Sequence, residues 1–126
     1  MQITKRIKNE LEILAIKGEL DLNNAAAVKT ILDREINAGK INIVMDLKGL
    51  EYIDSSGIGV FINTVNKIRS LKGNFFLLGL NDNIKRIFNL TKLTFFFRIV
   101  RDEMELDLIS RSTQLPPSAS SSFPSL

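Results

Sequence analysis

Apolar positions along this chain change period several times, from every second residue to every third or fourth, and each change marks an element. Residues 3–8 and 11–17 are short β-type runs joined by Asn9-Glu10, which predicts a hairpin. Asn23 or Asn24 then caps a helix with Ala27, Val28, Ile31, Leu32 and Ile36 on one face, and Gly39 is placed to stop it. Residues 41–47 read as a strand that ends in a short polar turn. After Asp54-Ser55-Ser56, the spacing of Ile58, Phe61, Ile62, Val65 and Ile68 predicts a long amphipathic helix that stops near Lys72-Gly73. Residues 75–80 are apolar on both faces and read as a central strand. Asn81 or Asp82 opens a short helix with Ile84, Ile87 and Phe88 inward. Residues 95–100 read as another strand, and Asp102 caps a last helix containing Met104, Leu106, Leu108 and Ile109. The order β-β-α-β-α-β-α-β-α predicts an α/β fold: a mostly parallel mixed sheet of about five strands, about four helices and right-handed crossovers. The opening hairpin adds one antiparallel strand.

Composition narrows the chemistry. A chain of 126 residues makes one domain, and 44% hydrophobic with 25% charged residues is the balance of a globular protein. Seventeen basic residues against 14 acidic ones leave a net charge of +3, spread along the chain. Without a clustered basic helix or an aromatic RNA-binding motif, no direct nucleic-acid partner is expected. There are no cysteines and no histidines, which removes thiol chemistry, disulfides and the commonest general base. Few hydrolytic mechanisms survive both absences. Met1-Gln2-Ile3-Thr4-Lys5-Arg6 lacks the apolar core of a signal peptide, and no apolar run is long enough to span a bilayer. A cytoplasmic protein without a membrane partner is the expectation. All three prolines fall in the last eleven residues. Residues 111–126 are rich in serine and proline and read as a disordered tail, which leaves a folded domain of residues 1–110.

The segment Met45 to Val60 carries the most information. An apolar run ends in a polar turn, the turn ends in Asp54-Ser55-Ser56-Gly57, and a helix begins there. A serine hydroxyl, or a phosphate on it, thereby stands at the positive end of a helix dipole. In open α/β sheets functional groups gather beyond the carboxyl ends of strands, and Gly18-Glu19-Leu20-Asp21 falls there as well. If the two strands are neighbours, Asp21 and Ser55 face each other across one loop surface. Asp21 is alternatively a cap of the first helix. Gly57 and Gly59, inside a first helical turn, lower helix propensity by about 1 kcal/mol each relative to alanine. Close approach of a partner or tight packing of helix on sheet accounts for them equally. Gly57-Ile58-Gly59 lacks the third glycine of a dinucleotide fingerprint and the Gly-Lys-Ser/Thr of a phosphate loop. A serine hydrolase has neither its nucleophile elbow nor its histidine here. Asp21, Asp46 and Asp54 lack the ligand number and spacing of a hard-cation site, so no metal is expected.

The order of elements, together with Gly18-Glu19-Leu20-Asp21, Asp46-Leu47 and Tyr52-Ile53-Asp54-Ser55-Ser56-Gly57-Ile58-Gly59, resembles a STAS domain. More narrowly, it resembles the bacterial anti-sigma-factor antagonists. Residues 84–93 are similar to the family's third-helix region, and the resemblance spans about residues 1–108. One departure is Asn81-Asp82-Asn83, where family members often have proline. The resemblance implies a STAS fold and a non-enzymatic regulatory binding module without a cofactor. In that family the first serine after the motif aspartate, here Ser55, is phosphorylated by a serine protein kinase that is itself the anti-sigma factor, with a histidine-kinase-like ATPase fold. The unphosphorylated antagonist binds that kinase and releases the sigma factor, and a metal-dependent serine phosphatase resets the switch. The candidate partner-facing residues are Asp21, Asp54, Ser55, Ser56, Gly57 and Gly59; Ser56 is also the competing phosphoacceptor, although its hydroxyl reads rather as a buried helix cap. Lys85, Arg86 and Lys92 read as a solvated basic face. The alternative from the same resemblance is a STAS scaffold subunit in a membrane-lipid transport ABC complex. A monomer is expected.

Overall fold

The computed structural model describes residues 1–112. Strands β1 (Gln2–Lys8) and β2 (Leu11–Leu20) form the opening antiparallel hairpin, with Lys8 opposite Leu11. Asn9 takes the left-handed conformation (φ 56°) that such a two-residue turn favours. Helix α1 (Ala25–Asn37), strand β3 (Asn42–Asp46), strand β4 (Leu50–Ile53) and helix α2 (Ser55–Ser70) follow. Strand β5 (Asn74–Leu78), helix α3 (Asp82–Leu90), strand β6 (Arg98–Val100) and helix α4 (Glu103–Ser112) complete the described residues. Among the described residues the sheet has six strands: five run in the order β1-β2-β3-β5-β6, and β4 pairs with the end of β2. Only the β1–β2 pairing is antiparallel among these; the others are parallel.

Side-chain alternation along the strands divides the core between the two sheet faces. On one face Leu14, Ile16, Ile43, Met45, Phe75 and Leu77 pack with Val28, Leu32 and Ile36 of α1, Phe61, Val65 and Ile68 of α2, and Ile84 and Phe88 of α3. On the other, Leu11, Ile13, Val44, Phe76, Leu78 and Val100 are covered by Leu106 and Ile109 of α4. Every residue of β3 is buried, as an interior strand with both faces covered requires. α4 is also held by charge: Glu103 binds Arg6, and Asp107 lies 3.0 Å from Lys8. Because β1 runs from Arg6 toward the hairpin turn at Asn9, α4 points to that end of the sheet. Near the same end, Glu12 of β2 is only 4% exposed and shares a hydrogen bond with Glu35 of α1, beside Lys5 and Lys40. Burial first, and that carboxyl neighbour second, push the Glu12 pKa from 4.5 up to about 7, while the bond from Glu12 holds Glu35 below its ordinary value.

Several expected boundaries are corrected. The segment taken for a polar turn after β3 contains strand β4, so the sheet has six strands rather than about five. Residues 95–97 lie in turns rather than in the last strand, leaving Phe95 96% exposed. Ala27 faces solvent, and Ala25 takes the buried place at the start of α1. Of the apolar residues of α4, Met104 and Leu108 are exposed. Asn81 rather than Asp82 caps α3, accepting a hydrogen bond from the Ile84 N–H at 3.0 Å. Asp102 caps α4 as expected, through the Glu105 N–H at 2.9 Å. α4 runs through Ser112, past the expected domain boundary at residue 110, and the rest of the Ser/Pro-rich segment lies outside the described residues.

Candidate docking and phosphorylation site

β2 and β4 end side by side. Glu19 pairs with Tyr52 and Leu20 with Ile53, after a register shift at Gly18, where φ is +105°. That irregularity bends β2 so that its last residues leave β3 and meet β4. Asp21 and Asp54 are the first residues beyond these two paired strand ends, at the carboxyl edge of the sheet.

Asp54 joins the two segments. Its backbone is extended (φ −109°, ψ −174°), and its Oδ1 accepts from the N–H groups of Ser56 at 2.9 Å and Gly57 at 3.2 Å, which caps α2. Its Oδ2 accepts from the Leu22 N–H at 3.1 Å, and its own N–H donates to the Leu20 carbonyl at 3.2 Å. The loop after β2 is closed by further bonds. Asp21 Oδ1 accepts from the Asn23 N–H at 2.9 Å, a local turn that short acidic side chains favour. Asn24 Oδ1 accepts from the Asp21 N–H at 2.9 Å, and Asn24 Nδ2 donates to the Glu19 carbonyl at 2.8 Å. Asn24 therefore stands at the N-cap position of α1 without capping it through its side chain. Asp21 braces the loop from a half-buried position and does not cap the helix through its side chain.

Ser55 is the first residue of α2 and is exposed. The expected buried cap at Ser56 is corrected: the Asp54 carboxylate caps the helix, and Ser56 is half-buried beside it. The two glycines separate. A Cβ on Gly57 would stand 2.7 Å from Leu20 Cγ and 2.8 Å from Ile53 Cγ1, so Gly57 exists for close packing of α2 on the strand ends. It is buried and forms no part of an outward surface, contrary to its expected place among the partner-facing residues. A Cβ on Gly59 would meet nothing within 4 Å, and Gly59 is exposed one turn beyond Ser55. Packing inside the molecule explains the first glycine and leaves the second free to face a partner.

Asp21, Asp54, Ser55, Ser56 and Gly59 thus share one end of the sheet, whereas Asp46 ends β3 with a hydrogen bond to the Lys48 N–H at 3.0 Å and pairs with Arg6 and Lys48. Among the described residues no group of three or more acidic, histidine or cysteine side chains is placed to hold a metal ion. Lys85, Arg86 and Lys92 are exposed on and after α3. One residue of this end escaped the reading of the sequence. Leu22, 77% exposed, is bonded through its backbone to Asp54. Its only signal is an apolar residue among turn formers, outside the helical stripe of Val28, Leu32 and Ile36.

The geometry defines a class: a mixed α/β domain that presents a capped serine turn at the carboxyl end of its sheet. The chain belongs to the STAS domain family, whose pattern matches residues 2–106. It is 32% identical over 109 residues to the anti-sigma-B factor antagonist of Listeria monocytogenes, covering 85% of this chain and 93% of that protein. Its structure is similar to that of a candidate anti-sigma factor antagonist from Thermotoga maritima, with a TM-score of 0.82 and 30% identity over 86% of this chain and 94% of the other. The Bacillus cell fate determinant SpoIIAA in its phosphorylated form shares the fold, with a TM-score of 0.67 and 19% identity over 86% of this chain and 99% of SpoIIAA.

Proposed function

We propose that this protein is an anti-sigma-factor antagonist whose docking onto an anti-sigma factor is switched off by phosphorylation of Ser55. The names of its relatives support the first half. One observation supports the second: Ser55 is exposed at the start of α2 while Asp54 already occupies the helix N–H groups of Ser56 and Gly57. A phosphate adds about −1.5 to −2 charges at neutral pH. With those donors taken, the phosphate is not drawn down onto the helix and stays toward solvent, beside Asp54 and at the same end of the sheet as Asp21. The fold survives, since the helix dipole favours the charge. A docking surface shaped for a hydroxyl must instead desolvate the phosphate or set it against other charge. That lowers affinity by about 100-fold or more without rearrangement of the domain.

In this reading the partner is an anti-sigma factor that is also a serine kinase, a metal-dependent phosphatase restores the hydroxyl, and the protein acts in the cytoplasm as a monomeric, non-catalytic module. Incubation with the cognate anti-sigma factor and ATP is expected to add one phosphate at Ser55, located by mass spectrometry, and Ser55→Ala to abolish it. Ser55→Asp is expected to weaken binding by about 100-fold with an unchanged circular dichroism spectrum. Wild-type protein that neither binds the anti-sigma factor nor takes phosphate from it refutes the reading. An unfolded Ser55→Asp variant assigns the serine to structure.

A further inference from the structure

We propose that Leu22 is the apolar anchor of the docking face, and that a phosphate on Ser55 acts by keeping water between Leu22 and an apolar recess on the anti-sigma factor. The proposal rests on the docking reading above and adds to it the residue that supplies affinity.

A single exposed leucine is ordinary on a protein surface. Leu22 differs in how it is held. Its N–H is bound to Asp54 Oδ2 at 3.1 Å, and the residues on either side are closed by Asp21 Oδ1 on the Asn23 N–H and Asn24 Oδ1 on the Asp21 N–H, each at 2.9 Å. Two aspartates and an asparagine therefore fix the backbone of a residue that is 77% exposed. An anchor fixed in advance gains affinity when buried, because little of the gain is lost to ordering the loop.

Its position supplies the link to the switch. The carboxylate that holds Leu22 belongs to the residue before Ser55, so the anchor and the phosphoacceptor are tied through one side chain. One turn along α2 from Ser55, Gly59 carries no side chain and lies open, which lets a partner approach closely. The charges around the site argue against a second copy of this chain as the occupant. Beside Leu22, Asp21 and Asp54 take part in no ion pair among the described residues, so two such tips set uncompensated carboxylates against each other and repel. The occupant is the anti-sigma factor, with an apolar recess for one leucine. A phosphate beside Leu22 holds its own hydration shell and adds to this acidic face, which keeps the recess from closing.

Titration of the cognate anti-sigma factor with wild type, Leu22→Ala, Leu22→Met, Ser55→Asp and the Leu22→Ala/Ser55→Asp double variant tests this. Leu22→Ala is expected to weaken binding by about 10- to 100-fold with an unchanged circular dichroism spectrum, and Leu22→Met to stay near wild type. The loss caused by Ser55→Asp is expected to shrink by about tenfold in the Leu22→Ala background, since the two changes act on one contact. Leu22→Ala binding within about twofold of wild type overturns the anchor and leaves the proposed function standing. Strictly additive losses overturn the water-holding role of the phosphate. Wild type that fails to bind at all overturns the docking reading and this inference together.

Discussion

At the scale of single residues, the two glycines of α2 make opposite predictions from the same chemical change. Gly57→Ala places a methyl group 2.7 Å from Leu20 Cγ and 2.8 Å from Ile53 Cγ1. Overpacking of that kind is expected to lower stability by about 1–3 kcal/mol. Gly59→Ala meets nothing and is expected to raise stability by about 0.5–1 kcal/mol. Urea unfolding of the two variants measures both, and on the proposed reading Gly59→Ala also weakens docking despite its firmer fold. The residue pattern made Asp54 and Ser55 visible, because the types favoured at helix starts stand before an amphipathic run. It left open which side chain caps the helix, since aspartate and serine both do so and only the backbone angles at Asp54 decide. It also left the two glycines alike, because their difference lies in Leu20 and Ile53, which reach Gly57 through pairing of β2 with β4. Leu22 stayed hidden for a related reason: its fixed pose depends on Asp54, thirty-two positions away.

At the scale of elements, α2 and the loop after β2 depend on one carboxylate. Asp54→Ala removes the bonds to the N–H groups of Ser56, Gly57 and Leu22. Loss of the cap alone is expected to cost about 1–2 kcal/mol, and the loop is freed as well. Amide hydrogen exchange is expected to show faster exchange at residues 22–24 and 56–57, while β3 and β5 stay protected. Uniform acceleration throughout the sheet contradicts this local role. Strands β1, β2, β3 and β5 and all four helices were legible, because each carries a period long enough to read. β4 was not: Leu50 and Ile53 are buried while Glu51 and Tyr52 are exposed, which is neither alternation nor a continuous apolar run. β4 forms as the partner of the bent end of β2, a non-local cause. The last strand was overread because Phe95-Phe96-Phe97 has strong strand propensity, and the turns after α3 use those residues instead.

At the scale of the whole molecule, stability carries a signature of the Glu12–Glu35 pair. The folded-state pKa of Glu12 is raised from 4.5 to about 7, so the folded protein holds that proton more tightly than the unfolded chain. The associated stability is full below about pH 4.5 and is lost as pH rises through about 7. Urea midpoints are therefore expected to fall between pH 5 and pH 8, and Glu12→Gln, neutral throughout, is expected to flatten that slope. An unchanged slope in Glu12→Gln places its origin elsewhere. The layered α/β architecture and its parallel majority were readable from the order of strands and helices. The pairing of buried Glu12 with Glu35 was not, since Glu12 lies in a strand whose partners the local pattern does not name.

The course of α4 has a practical consequence. Its first turn is fastened to Arg6 and a later one to Lys8, so it carries the chain toward the hairpin turn, away from the edge where Ser55 lies. A fluorophore or tether placed on exposed Leu108 of α4 therefore sits toward the pole opposite the serine turn. A sensor chip loaded through that end displays the hydroxyl to incoming protein, whereas loading through the Asn23 loop masks it.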